Sequence, residues 1–250
     1  MFNALNNDTD SRAIVAITNA GPVGRSLAVL LVQRGYRIAV FHFDNMQEHA
    51  DSIVQELGEE HVYTAVVEFA NLELWRDAME GTKAYFGRYP HSAIINYDEW
   101  HGGSPLHVGG WDDKSVYDNT QAGNLEAVYR ALRVFLPPMV EAKAGSVVIT
   151  GPQIAEQPRM GAGAAAYTAA KAGCVALMQA TAQEVSASGV RINAVLYSIL
   201  DTPDSRAGLP GFDTSQWITT DSLAKVIGFL ISDDARDVSG ATLPVYGQRQ

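Results

Sequence analysis

Apolar and polar positions alternate along this chain in two rhythms. Short apolar runs rich in β-branched residues, Ala13–Thr18, Arg37–Phe43, His61–Val67 and Ser92–Asn96, each have the length of one strand. Between them, apolar residues recur with a helical period over Val23–Arg34, Gln47–Leu57 and Leu72–Phe86. An irregular stretch, Tyr97–Gly110, precedes a long helix over about Asp112–Ala142, which Pro137 and Pro138 are expected to bend or end. Strand Ser146–Thr150, helix Ala164–Ser186 and strand Val190–Tyr197 follow. Helix Ser222–Ile231 and strand Ala241–Tyr246 close the pattern. Such alternation predicts right-handed βαβ units and a doubly wound α/β fold, a parallel sheet with helices on both faces. Ligands on these sheets sit beyond the carboxyl ends of the strands.

Composition adds limits. The chain has 250 residues, a length that one α/β unit over 1–250 can use, with no repeat and no linker. The net charge of -10, with no Lys/Arg run, argues against a nucleic-acid partner. The longest apolar runs, such as Leu27–Val32, are too short to span a bilayer, and Met1–Arg12 lacks the layout of a secretory signal. The expectation is a cytoplasmic protein without membrane contact. The one cysteine, Cys174, excludes an internal disulfide and reads as a buried, inert thiol. No metal site is expected.

Two motifs carry candidate chemistry. After the first strand, Thr18-Asn19-Ala20-Gly21-Pro22-Val23-Gly24-Arg25 forms a glycine-containing turn into a helix. Backbone amides at such a helix start can approach a pyrophosphate; Pro22 equally fits an ordinary first helical position. Tyr167 and Lys171 lie four apart in a predicted helix and so share a face. An ammonium beside a phenol favours the phenolate and lowers its pKa, making Tyr167 a plausible proton donor or acceptor.

With these motifs in place, nearly the whole chain resembles the short-chain dehydrogenase/reductase family, most closely its 3-oxoacyl-carrier-protein reductases. The likeness rests on Tyr167-x-x-x-Lys171, on Asn124-Leu125, and on Gly145–Gly151 at the family's spacing. Val190–Val195, Phe229–Asp233 and Ser239–Gly247 continue it. The resemblance implies a Rossmann-type sheet of about seven strands and hydride transfer between NAD or NADP and a carbonyl or secondary alcohol. It implies Tyr167 as general acid/base. Lys171 would hold the ribose hydroxyls and depress the Tyr167 pKa, and Asn124 would help hold a relay water. Cofactor contacts would come from Thr18, Gly21, Val23, Gly24, Asp44, Asn96 and Lys171, with Glu68 near the adenine. Asp44, 20 residues after Gly24, leans the choice towards NAD.

The chain departs from the family at four places. Asn19 stands where the first glycine of the turn belongs, the turn is one residue shorter, and Pro22 replaces the middle glycine. The turn therefore loses an amide donor. Asn96-Tyr97-Asp98-Glu99 replaces the family's Asn-Asn-Ala-Gly, placing bulky and acidic residues where small ones let the cofactor lie close. Tyr197-Ser198 replaces Pro-Gly beside the nicotinamide. The catalytic serine is missing, since no Ser occurs between Val147 and Val185; Thr150 or the amide of Gln153 are the possible substitutes. The pocket rim is expected from Tyr97–Trp111 and Leu200–Trp217, including Trp100, Leu209 and Phe212.

Two functional readings follow. One is a reductase or dehydrogenase acting on a small carbonyl or alcohol. The other is a catalytically silent subunit paired with an active homologue. Under both, a homo-dimer, tetramer or hetero-oligomer is expected through the two long helices. Gly161–Ala166, with Ala169, Ala170, Ala172 and Gly173, offers small side chains for close approach.

Overall fold

The computed structural model describes residues 13–68, 71–100, 105–108 and 115–247. Strand β1 (Ile14–Thr18) is buried at every position because parallel partners flank it on both edges, β2 (Arg37–His42) and β4 (Ser92–Ile95). Beyond β2 lies β3 (Val62–Val66); beyond β4 come β5 (Gly145–Pro152), β6 (Val190–Tyr197) and β9 (Thr242–Val245). The seven strands run in the order β3-β2-β1-β4-β5-β6-β9, all pairs parallel. The order reverses direction between β1 and β4, which opens a crevice at their carboxyl ends, the place where such sheets take ligands.

Helices close both faces. On one face, α1 (Pro22–Gln33), α2 (Gln47–Leu57) and α8 (Thr220–Leu230) cover a core that includes Val15, Ile17, Leu27, Leu31, Ile94 and Ile227. On the other, α3 (Leu72–Phe86), α5 (Ala127–Ala142) and α6 (Ala165–Glu184) cover Phe41, Trp75, Phe135 and Met178. Residues alternate faces along each strand, so Ile14 and Ala16 join one core and Val15 and Ile17 the other.

Three expectations change. Pro137 and Pro138 lie inside α5 and do not end it. Pro137 is exposed, while Phe135 and Met139 beside it are buried, so apolar packing holds the helix through the missing donors. The segment after β6 is not a plain loop. It holds a two-strand pair, β7 (Leu200–Asp201) with β8 (Ile218–Thr219), and a short helix α7 (Pro203–Gly208). The long second-half helix runs on to Ala142 but is not uniformly α-helical: α4 (Ser115–Gln121) passes into α5 through a π-helical turn, Ala122–Glu126. Its predicted start at Asp112, like Trp111 and Met1–Arg12, lies outside the described residues. Among the described residues, no helix is long and apolar enough to cross a membrane.

Candidate active site

The turn after β1 is built around Asn19, whose φ of 137° is a left-handed conformation that favours glycine. Its side chain compensates locally: Oδ1 accepts from the Gly21 N–H at 2.6 Å. A Cβ on Gly24 would stand 2.0 Å from the Asn19 carbonyl oxygen, so only glycine fits beneath this turn. No side chain caps α1, and Pro22 is its first residue. With the Gly21 amide engaged and Pro22 lacking one, Val23 and Gly24 remain as first-turn amides without an intrahelical acceptor. The turn thus has lost two donors, one more than Pro22 alone predicts.

Thr18 and Asn96 stitch the floor of the crevice. The Asn96 N–H donates to Thr18 Oγ1 at 2.9 Å, and Thr18 Oγ1 donates to the Ile94 carbonyl at 3.4 Å. Thr150 Oγ1 donates to Asn96 Oδ1 at 2.6 Å. Those contacts hold β1, β4 and β5 in register at their carboxyl ends.

Beyond Asn96 the chain brings four polar side chains to one point. Lys171, buried on α6, donates to the Tyr97 carbonyl at 2.5 Å and lies 3.2 Å from Asp98 Oδ1. The same Oδ1 accepts a short hydrogen bond from the Tyr167 hydroxyl. Tyr197 donates to the other oxygen, Oδ2, at 3.0 Å. The Trp100 indole meets the Tyr167 ring edge-on, with centroids 4.8 Å apart. Asn124 lies on the π-helical turn and is fully buried. Its Nδ2 donates to the carbonyls of Thr120 and Glu99, both at 2.9 Å, and its Oδ1 accepts from the Glu99 N–H at 3.2 Å. Asn124 therefore pins the segment that carries Asp98.

Several expectations about this site change. The Tyr167 pKa is pushed up, not down, first by burial and then by the Asp98 carboxylate. Lys171 does not offset this, because the carboxylate that touches the phenol also takes the ammonium. Tyr197 is pushed up in the same way, by burial and then Asp98. The Tyr97 ring does not crowd the crevice; it is buried in the core against Phe43 and Trp75. Both side chains offered in place of the missing serine already give a proton elsewhere. The Thr150 proton goes to Asn96, and Gln153 Nε2 goes to Gln157 Oε1 at 2.9 Å.

The remaining site residues fall near the other end of the crevice. Asp44 is exposed and heads a short turn, Asp44–Met46, whose Met46 Cε lies 3.7 Å from a Cβ built on Gly21. Glu68 is exposed and bridges to Asn71. The sequence reading missed His42 at the end of β2. It is buried, its Nδ1 contacts the Phe43 carbonyl at 2.9 Å, and Nε2 has no partner among the described residues. An apolar run ending in a buried imidazole was the available signal. The reading also missed Asp98 and Tyr197 as partners of Tyr167, having treated both only as departures.

The family profile described as Enoyl-(Acyl carrier protein) reductase matches residues 17–247, over nine-tenths of the chain. The chain belongs to the short-chain dehydrogenase/reductase family. A 3-oxoacyl-[acyl-carrier-protein] reductase of Pseudomonas aeruginosa is 34% identical over 132 residues, about half the length of either chain. A cyclohexanol dehydrogenase of Acinetobacter sp. is 29% identical over a match covering 99% of this chain and 96% of that one. The crystal structure of a 3-ketoacyl-(acyl-carrier-protein) reductase from Brucella melitensis complexed with NADH superposes with a TM-score of 0.82. That match covers 95% of this chain and 98% of the other at 21% identity, and so bears on the fold alone. In this chain a carboxylate, Asp98, is bonded directly to the tyrosine of the Tyr-x-x-x-Lys motif.

Proposed function

We propose that the protein exchanges hydride between a nicotinamide dinucleotide and a small organic substrate at a polar double bond. The sequence reading expects a carbonyl or secondary alcohol. One observation carries the proposal: Tyr167, Lys171 and, through Glu99, Asn124 converge at the carboxyl edge of the sheet, on the crevice that the uncapped start of α1 also borders. The chemistry of the turn residues suits the dinucleotide. Gly24 leaves no room for a side chain under the turn, and the Val23 and Gly24 amides suit a phosphate. The unpartnered His42 Nε2 is a buried polar atom at the carboxyl end of β2, where a ribose hydroxyl could satisfy it. Asp44 just beyond favours the free hydroxyls of NAD over the phosphate of NADP.

When bound, the dinucleotide supplies or takes the hydride. Lys171 would hold its ribose hydroxyls, Thr18 and Asn96 would line the floor, and Glu68 would lie towards the adenine. Tyr167 would hold or move a proton at its hydroxyl oxygen. Titration with NADH and then NADPH, read by energy transfer from tryptophan, tests this. Saturable micromolar binding is expected, and a folded protein that binds neither would overturn the proposal.

The second reading, a silent subunit beside an active homologue, is favoured by one observation: the Thr150 hydroxyl, the one hydroxyl the sequence reading offers in place of the serine, gives its proton to Asn96. A pure homo-oligomer with robust turnover would rule it out. Self-association is part of either reading. Leu125, Tyr129 and Leu177 line a shallow apolar hollow of about 420 Å³ on α5, α6 and the π-helical turn. Gly173, expected to let a second chain approach, packs against Leu125 of its own chain, where a Cβ would lie 3.0 Å from Cδ2. Sedimentation of a monomer at micromolar concentration would count against the association.

A further inference from the structure

The surroundings of the Tyr167 hydroxyl suit a substrate charge opposite to the one a ketone develops. Hydride addition to C=O puts negative charge on oxygen, and that charge needs hydrogen-bond donors aimed at it. Here the Thr150 proton goes to Asn96, one Gln153 amide proton goes to Gln157, and the Tyr167 hydroxyl already donates to Asp98. An oxyanion beside Tyr167 would instead meet the Asp98 carboxylate. The carboxylate is held in place by Tyr167 and Tyr197, and the Trp100 indole stands against the Tyr167 ring. A fixed carboxylate beside aromatic rings, already paired with the Lys171 ammonium over the Tyr167 ring, is recognition chemistry for an organic cation.

We propose that Asp98 is the specificity-determining residue of the site and selects a protonated C=N substrate, an iminium or the corresponding secondary ammonium, over a carbonyl. The inference rests on the hydride-transfer reading above. Lys171 now occupies Asp98 Oδ1, and its turn to the ribose hydroxyls frees that oxygen for the substrate N–H. A carboxylate in contact keeps the imine protonated near neutral pH, because an opposite charge favours the charged form. The step then balances without a proton donor. Hydride forms the new C–H bond, the π pair returns to nitrogen as a lone pair, the iminium becomes a neutral amine, and the dinucleotide is oxidised. The missing serine and the strongly disfavoured Tyr167 phenolate are compatible with such a step, since neither an oxyanion nor phenolic proton transfer is required.

The test compares matched ring systems in the presence of saturating dinucleotide. Calorimetry would measure 1,2,3,4-tetrahydroisoquinolinium against 2-tetralone, and turnover would compare 3,4-dihydroisoquinoline with 1-tetralone. The ammonium is expected to bind at least tenfold tighter than the ketone, and the imine to show at least a tenfold higher kcat/KM. Asp98→Asn should erase the binding preference, and Asp98→Glu should restore part of it. Equal or better binding and turnover of the ketones by the unmodified protein would overturn the inference even if the variants fail to fold. So would an ammonium preference that survives in Asp98→Asn. If NADH and NADPH both bind and ketones are preferred, only this inference falls; if neither binds, the hydride-transfer reading falls with it.

Discussion

At the scale of single residues, the site is shaped by side chains that occupy positions other residue types would leave open. Asn19 is the clearest case: it holds a glycine-like φ and turns the Gly21 amide onto its own Oδ1. Replacing it with glycine removes that acceptor and the left-handed penalty together. Asn19→Gly is therefore expected to tighten NADH binding roughly fivefold, the equivalent of about 1 kcal/mol for one recovered hydrogen bond. The same fluorescence titration reads it, and an unchanged or weaker affinity would show that the Gly21 amide does not face the ligand. Sequence could name Asn19 as a departure. It could not show that the asparagine side chain, as well as Pro22, withdraws a donor, because that depends on a rotamer.

At the scale of elements, the π-helical turn Ala122–Glu126 does the positioning. A π turn widens the helix by one residue and interrupts its regular bonding, which is why such turns recur at functional sites. Here it places Asn124 against the Glu99 backbone, making both a donated and an accepted bond with it. Asn124→Ala removes these bonds and the buried one to the Thr120 carbonyl, and about 1–3 kcal/mol of stability should be lost. Amide exchange at Asp98 and Glu99 should quicken more than exchange in β1; equal protection throughout would contradict the pinning role. Nothing in the spacing of Asn124 and Leu125 announces a π turn, since it differs from an α-helix by one residue. Leu72–Phe86, by contrast, was legible to the residue. Asn71 caps its start, accepting from the Glu73 and Leu74 amides, and Gly87 ends it at a φ of 84°. Local chemistry sets those ends, whereas the π turn between α4 and α5 answers to α6 and the 97–100 segment packed against it.

Across the whole molecule, a parallel sheet covered on both faces followed from the alternation of strand and helix patterns, because parallel strands buried on both faces read as continuous apolar runs. The candidate site was partly legible: motif spacing singled out Tyr167 and Lys171 and the family resemblance singled out Asn124, while the Asp98 contacts join residues 69 and 99 apart in sequence. Burial also sets the pH response of the fold. The pKa values of Tyr36, Tyr63, Tyr97, Tyr167 and Tyr197 are all raised, burial being the largest cause in each. Unfolded tyrosines ionise near pH 10, so the native state holds more protons above that point. Stability present below about pH 10 should fall steeply as pH rises further. The pKa of His91 is lowered, again mainly by burial, so its contribution is present above about pH 6.5 and declines as pH falls below it. Thermal melting from pH 5 to 11 checks both limbs; a flat profile above pH 10 would contradict the buried phenols.

Cys174 gives the molecule a property unrelated to hydride transfer. Its thiol is buried, lies 3.9 Å from the Asn124 carbonyl, and has its pKa pushed up to about 11 by burial. Almost none of it is thiolate at neutral pH, and no reagent reaches it without local opening. The chain is therefore chemically blank toward alkylating dyes and spin labels as it stands. A thiol introduced at an exposed position such as Asp237 would be the sole handle, and the native cysteine could be left in place as an internal gauge of how often α6 lifts from the sheet.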